Sequence, residues 1–137
     1  MKLLVDTSIW SLALRRKSTI VNTEALTLKT FIEQGADIYL LGIILQEILQ
    51  GIKNPKDFLQ LKEYLEAFPL VELTREDYVK AAELKNILIK KGKQISSIDA
   101  LIAHTAISRD LYLFTADDDF THIAKYTKLQ LLGNNKI

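Results

Sequence analysis

Short apolar runs alternate with longer helical segments along almost the whole chain, and this alternation constrains the fold more than any other feature. The runs predict five strands, at residues 2–6, 37–41, 70–73, 111–114 and 129–132. The segments between them predict helices at about 7–15, 23–34, 43–50, 55–68, 75–91, 97–110 and 118–125. Strands joined through helices run parallel in one sheet that has helices on both faces. The chain is therefore predicted to be an α/β protein with three α/β/α layers and a parallel five-stranded sheet.

Length and composition indicate one domain with a buried interior. The chain has 137 residues, of which 48% are hydrophobic, so we expect a single domain over residues 1–137. The absence of cysteine excludes disulfide frameworks and thiolate-ligated zinc or iron–sulfur centres. Asp6 interrupts the first apolar run, so no signal peptide is expected, and the apolar run at 38–45 is too short to span a membrane. A cytoplasmic location is expected.

The net charge provides no bulk attraction for nucleic acid. The 18 basic and 17 acidic residues leave a net charge of +1, so any contact with nucleic acid must use a local basic surface. Two basic clusters are visible, at residues 15–17 and 90–93. Each cluster is also what a solvated helix end contains, because cations are favourable at helix C-termini.

Four acidic residues stand where an α/β domain normally avoids charge. Asp6 ends the first predicted strand, and Asp117 follows directly on the fourth, with Asp119 close behind. Glu47 interrupts the apolar stripe of a short helix, and Asp99 shares a helical face with small and apolar residues. Ligands of open parallel sheets bind beyond the carboxyl ends of the strands, and a strand order of 3-2-1-4-5 would make the first and fourth strands neighbours. The sequence thus predicts that these carboxylates share one crevice.

A cluster of carboxylates at this edge would need a cation to offset the repulsion between them. A site made only of oxygen ligands suits Mg²⁺ or Mn²⁺. Each acid also has a structural explanation: Asp6 as a helix cap, Asp99 in a capping box with Ser96, Asp117 in a turn, and Glu47 in a buried salt bridge. The coincidence of all four at strand ends and cleft-facing helix positions favours a metal site.

Four motifs contain these acids, in order along the chain: residues 3–10 (LLVDTSIW), 45–51 (LQEILQG), 97–106 (SIDALIAHTA) and 114–120 (FTADDDF). Together they resemble the motifs of the PIN-domain ribonucleases, and among them the VapC toxins of prokaryotic toxin–antitoxin pairs. One departure is His104, where a small residue such as alanine is expected from the family pattern. Because His104 lies one residue beyond the face that carries Asp99, we interpret it as a partly buried structural histidine.

The resemblance implies the strand order 3-2-1-4-5 and an endoribonuclease that depends on Mg²⁺ or Mn²⁺. It implies that one or two ions are held by the catalytic residues Asp6, Glu47, Asp99 and Asp117, with Asp119 as a fifth contributor. Water would then attack the phosphodiester in line and leave a 5′-phosphate and a 3′-hydroxyl. Such enzymes are usually homodimers, and a cognate antitoxin normally neutralises them by laying its C-terminal segment across the active-site groove.

Several other residues receive candidate roles. Thr7, Ser8 and Thr115 would orient ligands or waters, although helix capping and strand-end turns explain them equally well. Arg15 and Arg16 would contact RNA phosphates or the antitoxin. A single-stranded or looped RNA substrate is favoured over a duplex, because cleavage needs an accessible backbone.

Three other functions are compatible with parts of this pattern. A non-catalytic PIN-like scaffold for protein binding would need no cation, and the intact set of acids argues against it. A phosphotransfer or phosphohydrolase domain also places an aspartate at a strand end, but usually needs a well-placed lysine or a second carboxylate two residues later, where this chain has Ser8. A DNA-directed nuclease of related fold would need additional DNA-clamping elements, for which the chain has little room.

Overall fold

The computed structural model describes residues 1–14 and 22–133, and strands and helices alternate in the predicted order. The elements are β1 (Lys2–Val5), α1 (Thr7–Ala13), α2 (Thr23–Glu33), β2 (Asp37–Tyr39), α3 (Gly42–Gln50), α4 (Pro55–Leu65), α5 (Arg75–Lys90), α6 (Ser97–Ser108), β3 (Tyr112–Phe114) and α7 (Asp119–Lys125). The predicted end of the first helix, Arg15, lies outside the described residues. Among those residues, none of the helices is long and apolar enough to cross a membrane.

The sheet is parallel, with β1 at its centre between β2 and β3. The outer two predicted strands each reach it through a single parallel bridge, Leu70 beside Leu40 and Leu131 beside Leu113. From edge to edge the order therefore follows the predicted 3-2-1-4-5, with very short outermost strands. The predicted α/β architecture is confirmed, and the first and fourth predicted strands are neighbours as the site requires.

The predicted strand at 70–73 is short because its backbone leaves the sheet early. Val71 donates its N–H to the Leu40 carbonyl at 2.8 Å. The Glu72 carbonyl instead accepts a hydrogen bond from Arg109 Nη2 at 2.9 Å. Thr74 then forms the N-cap of α5. A guanidinium group thus takes the place of a strand partner at this edge.

The central strand is buried on both faces, which explains its uninterrupted apolar sequence. Leu3, Leu4 and Val5 are all fully buried, so helices cover both sides of the sheet. Trp10 of α1 is also buried, and its ring meets the Phe68 ring edge-on with 5.2 Å between centroids. This packing fixes the carboxyl end of β1 and the polar residues that follow it.

Side-chain caps fix the start of three helices where the sequence predicted them. Asn22, Asn54 and Ser96 each accept a backbone N–H from the first turn of α2, α4 and α6, respectively. These bonds satisfy donors that have no partner inside the helix.

Two helices end earlier than predicted. Helix α4 ends at Leu65, and the Phe68 N–H bonds the Leu65 carbonyl at 3.1 Å in a tighter turn beyond it. Helix α6 ends at Ser108, and Asp110 takes a positive φ of 56°. Aspartate tolerates this left-handed conformation, which here turns the chain directly into β3.

A buried ion cluster joins α5 to α6. Asp77 is only 6% exposed, and its two carboxylate oxygens accept hydrogen bonds from Arg109 Nη1 and Nη2 at 2.6 and 2.9 Å. It also bonds His104 Nε2 at 2.8 Å and accepts the Thr74 N–H at 2.8 Å. The Arg109 hydrogen bond, followed by those of Thr74 and His104, holds the pKa of Asp77 well below its usual range. His104 therefore has the structural role predicted for it, whereas nothing in the sequence pairs Asp77 with Arg109.

Candidate active site

The carboxyl ends of β1 and β3 meet at one edge of the sheet and bring two polar segments together. Asp6 follows β1, and its N–H extends the sheet pairing by bonding the Phe114 carbonyl at 2.9 Å. Thr115 follows β3, so two residues 109 positions apart in the chain become neighbours. This is the edge at which parallel sheets bind ligands.

Three carboxylates lie at the centre of this edge, Asp99, Asp117 and Asp119, and are called the acidic triad below. Each offers an oxygen, and these oxygens lie within 4.8 Å of one another. Asp99 stands in the first turn of α6, where Ser96 Oγ accepts its N–H at 3.0 Å. Asp117 donates its N–H to Thr115 Oγ1 at 3.0 Å, and its own Oδ1 accepts the Asp119 N–H at 2.9 Å. The loop after β3 thus holds two of the three carboxylates in a hydrogen-bonded turn.

Asp6 is buried and is oriented by two hydroxyl groups. Ser8 Oγ and Thr115 Oγ1 each donate to Asp6 Oδ2 at 2.9 Å. The alternative that the Asp6 side chain caps α1 is wrong, because it accepts no backbone N–H from the first turn of that helix. Among the described residues, no hydrogen bond reaches the second oxygen, Oδ1. The carboxylate is therefore fixed in orientation and keeps one oxygen without a protein donor.

Repulsion within the site changes the acidity of Asp99. Burial, together with the negative charges of Asp117, Asp6 and Asp119, raises the pKa of Asp99 to about 6, and a hydrogen bond to Ser96 acts in the opposite direction. Asp6 therefore shares the electrostatic environment of the acidic triad. A cation among these carboxylates would offset the repulsion and keep Asp99 ionised at neutral pH.

Glu47 lies on α3 outside the acidic triad, and a hydrogen bond from Thr7 links it to the segment that carries Asp6. Thr7 Oγ1 donates to Glu47 Oε1 at 2.7 Å, and Thr7 directly follows Asp6. In the described part of the chain no cation pairs with Glu47, so the alternative of a buried salt bridge is not observed. Glu47 instead lines a groove between α1, α3 and α4 that Leu14 and Tyr64 also line.

The sequence profile of the PIN domain matches residues 3–126, a range that includes every acidic residue of this site. The chain belongs to the PIN domain family. The predicted resemblance is thus confirmed, and the site lies within the matched part of the PIN domain. Proteins of this family are typically nucleases. No curated protein has significant sequence similarity to the chain.

Solved structures of similar fold cover nearly the whole PIN domain. A chain in the crystal structure of VapBC2 from Rickettsia felis, bound to a DNA fragment of its promoter, is 23% identical with a TM-score of 0.76, over 96% of this chain and 97% of that one. FitAcB from Neisseria gonorrhoeae is 25% identical with a TM-score of 0.68, over 94% and 95%. VapC20 from Mycobacterium tuberculosis, a toxin that cleaves the sarcin–ricin loop, is 13% identical with a TM-score of 0.65, over 88% and 94%. These likenesses agree with the resemblance to VapC proteins and establish a common fold.

The donor set of this PIN domain fits a hard divalent cation. All candidate ligands are carboxylate oxygens, which Mg²⁺ and Mn²⁺ prefer. The acidic triad brings three such oxygens within reach of one ion, and Asp6 lies close enough to raise the pKa of Asp99. Crowding of this kind is unfavourable without a compensating charge, so the arrangement itself favours cation binding.

Most of the predicted site residues lie together in this PIN domain. The structure groups four of the five predicted carboxylates, which are Asp6, Asp99, Asp117 and Asp119. Asp119 was expected only as an accessory contributor, yet it belongs to the acidic triad. Glu47 was expected as a full member, yet it is linked to the site through a hydroxyl group. All three predicted hydroxyl groups reach a carboxylate, those of Thr7, Ser8 and Thr115. Arg15 and Arg16 lie outside the described residues.

A cleft beside the acidic triad contains Lys85, a residue that the sequence analysis did not single out. Lys85 lies within α5, and its Nζ donates to Ser97 Oγ at the start of α6 at 3.2 Å. A lysine in the middle of a helix usually belongs to a solvated face and gives no local signal of a site. The packing of α5 against α6 places Lys85 in the same cleft as Asp99.

Proposed function

We propose that this PIN domain is an endoribonuclease dependent on Mg²⁺ or Mn²⁺ and acts as the toxin of a type II toxin–antitoxin pair. The observation that carries the proposal is the acidic triad with Asp6 beside it, at the carboxyl edge of a parallel sheet. Membership of the PIN domain family and the similarity to VapBC structures support it. The distinction of RNA from DNA and the choice of metal belong to the proposal.

The ligands of the ion would be Asp6, Asp99 and Asp117, with Asp119 and Glu47 contributing directly or through water. A bound divalent ion supplies an acidified water and offsets the charge that develops on the scissile phosphate. Thr115 and Ser8 both donate to Oδ2 of Asp6, so Oδ1 keeps no donor among the described residues and is available to an ion.

Thr7 has the corresponding role for Glu47. Its hydroxyl group donates to Oε1 and leaves Oε2 without a donor among the described residues. Because Thr7 is adjacent to Asp6 in the chain, its hydrogen bond ties the Glu47 carboxylate to the segment that carries Asp6. Glu47 would act there as a proton acceptor or as a ligand through water.

An antitoxin is the proposed protein partner, and a second copy of the chain is the proposed dimer partner. The groove beside Glu47 is lined largely by apolar side chains, among them Leu14, Ile48 and Leu61. An amphipathic segment of the antitoxin could pack there with its apolar face while a basic side chain reaches Glu47. The VapBC and FitAcB structures support a protein partner for this fold.

The proposal is tested by incubating the purified protein with single-stranded RNA and with single-stranded DNA of the same sequence. Each substrate is given Mg²⁺, Mn²⁺ or a chelator. We expect internal cleavage of the RNA with either metal, little cleavage of the DNA, and none with the chelator. Cleavage of DNA alone would favour a DNA-directed nuclease, and an inert protein that binds no metal would favour a scaffold.

Removing the hydroxyl groups that orient Asp6 is expected to weaken metal binding without unfolding the protein. We expect Ser8→Ala and Thr115→Val each to lower Mn²⁺ affinity by about 10–100-fold, because residues that orient metal ligands typically contribute this much. Calorimetric titration of the chelator-treated protein measures the effect. Thr30→Val is the matched control, since this exposed hydroxyl bonds only a carbonyl of its own helix. An unchanged affinity in both site variants would contradict the proposed role.

The metal-free protein is expected to become less stable as pH rises from about 4 to about 6, because the folded state keeps the Asp99 proton longer than the unfolded chain. Asp99→Asn removes this loss, so at pH 7 the variant should exceed the wild type by about 1–2 kcal/mol in the free energy of unfolding. Urea unfolding at pH 4 and pH 7 in chelator tests this. The two proteins should be nearly equal at pH 4, and a variant less stable at pH 7 would contradict the repulsion.

A further inference from the structure

A cleft of about 730 Å³ opens beside the acidic triad, and it combines carboxylates with amines. Asp99 and Asp119 line it together with Lys85 and Lys93. Its size falls within the range of about 300–1,000 Å³ that is typical of ligand clefts. We call it the lysine cleft. Carboxylates of the proposed metal site and lysine side chains thus line the same cleft. Such a cleft suits a polyanion that would also contact the bound metal.

The lysines at this cleft are not neutralised by protein. In the described part of the chain, neither Lys85 nor Lys93 forms an ion pair with a carboxylate. Lys93 Nζ lies instead 4.9 Å from the centroid of the Tyr126 ring, and Lys91 Nζ lies 5.7 Å from the same centroid. The aromatic face attracts both ammonium groups and so holds two like charges close together. This leaves concentrated positive charge available for an anion.

Helix α7 and the turn at Gly92 place the ammonium groups of Lys91 and Lys93 near the acidic triad. Helix α7 begins at Asp119 and has seven residues, and Tyr126 is its C-cap. Seven helical residues span about 10 Å, which corresponds to roughly three stacked nucleotides. Gly92, with φ of 78°, reverses the chain after α5 and sets Lys91 and Lys93 on either side of the turn. This separation suits phosphates about three nucleotides away from one held at the acidic triad.

We propose that Lys91 and Lys93, gathered by Tyr126, bind the phosphates of a single-stranded RNA that runs from the acidic triad along the lysine cleft, with Lys85 facing the same strand. This inference rests on the proposed nuclease function and adds the path of the substrate. The lysines are positioning residues, since they fix the register of the strand and not the chemistry of the scissile bond. Binding is independent of base identity at these contacts.

Two other interpretations of the lysines give different expectations. If they only complement the C-terminus of α5, their removal should lower stability and leave RNA binding unchanged. If they bind an acidic peptide of a protein partner, their removal should weaken the binding of poly-glutamate and leave RNA binding unchanged. A phosphodiester strand is favoured because the same cleft contains Asp99 and Asp119 of the proposed nuclease site, so a strand along the cleft would lead to the scissile position.

The test compares Lys91→Gln/Lys93→Gln with wild type and with two controls. Lys90→Gln removes an exposed charge at the end of α5, and Lys91→Arg/Lys93→Arg keeps both charges beside Tyr126. The affinity for a fluorescein-labelled single-stranded RNA oligonucleotide is measured by anisotropy at several salt concentrations, with Ca²⁺ in place of Mg²⁺. We expect the double glutamine variant to bind about tenfold more weakly, with a salt dependence reduced by about 1.4 in log–log slope. Both controls should resemble the wild type, and all melting temperatures should agree.

The outcomes separate this inference from the proposed function. Weaker RNA binding and a smaller salt slope support the lysine path even if the wild type cleaves no RNA. An unchanged affinity and slope overturn it even if the wild type is an active ribonuclease. Failure of the wild type to bind RNA also overturns it. Loss of binding to a poly-glutamate peptide, with RNA binding retained, would overturn it in favour of an acidic protein partner.

Discussion

Replacing Asp99 with asparagine is expected to lower the rate of RNA cleavage by about 10²–10³-fold while the protein stays folded. Asp99 belongs to the acidic triad, and its charge is one of those that a bound cation would offset. Removing a group that stabilises developing charge typically costs two to three orders of magnitude in rate, roughly. Asp6→Asn should have a comparable effect, because its carboxylate is buried and oriented by two hydroxyl groups. Cleavage of a labelled RNA under single-turnover conditions measures both variants.

The loop that carries the acidic triad offers a matched control for this prediction. Asp118 lies between Asp117 and Asp119 but is exposed, is not part of the acidic triad, and makes no capping hydrogen bond to α7. Asp118→Asn removes the same charge from the same loop, so it should cleave at close to the wild-type rate. Equal cleavage rates in the Asp99 and Asp118 variants would contradict the catalytic role assigned to the acidic triad.

Asp77→Ala is expected to cost about 3 kcal/mol or more of folding free energy without touching the site. The change leaves Arg109, His104 and the Thr74 N–H without their common acceptor, and breaking a buried ion pair from one side costs about 3–5 kcal/mol. Arg109 is partly exposed and can regain water, so the lower end of this range is expected. Urea unfolding measures the loss. Glu76→Ala, which removes an exposed partner of Lys80 on the same helix, should change stability by less than about 0.5 kcal/mol.

The pH dependence of the Asp77 contribution has a definite sign. The pKa of Asp77 is lowered by its hydrogen bond from Arg109, so the folded protein loses this proton more readily than the unfolded chain does. The stabilisation is therefore complete above the ordinary aspartate pKa of about 4 and is lost as pH falls below it. The stability advantage of the wild type over Asp77→Ala should shrink in acid, whereas for Asp99 it is the advantage of the asparagine variant over the wild type that shrinks in acid. A difference that grows as pH falls would contradict this ionic account.

The fold was largely predictable because local signals agree with the tertiary arrangement. The apolar runs at β1 and β3 correspond to strands that are buried on both faces, and the caps at Asn22 and Asn54 begin helices where expected. The lengths of the outermost strands were not predictable. The run at 70–73 has the composition of a strand, but Arg109, which is distant in the sequence, donates a hydrogen bond to one of its carbonyl groups.

The site was predictable where position relative to a strand end decides the geometry. Asp6 and Asp117 follow adjacent parallel strands, so their proximity follows from strand order alone. Which acids lie closest together depends on packing between helices, and no local sequence pattern predicts that packing. For this reason Asp119 lies nearer the centre of the site than expected and Glu47 lies farther from it. The ion pair between Asp77 and Arg109 could not be predicted from the sequence for the same reason.

Binding of Mn²⁺ to the chelator-treated protein, followed by calorimetry, tests most directly whether the carboxylates form a cation site. The wild type and Asp118→Asn should bind the ion with similar affinity. Asp99→Asn should bind it more than about 100-fold more weakly, because losing a ligand should cost more than losing a residue that only orients one. A wild-type protein that takes up no Mn²⁺, or an Asp99 variant that binds it as tightly as the wild type, would contradict the account.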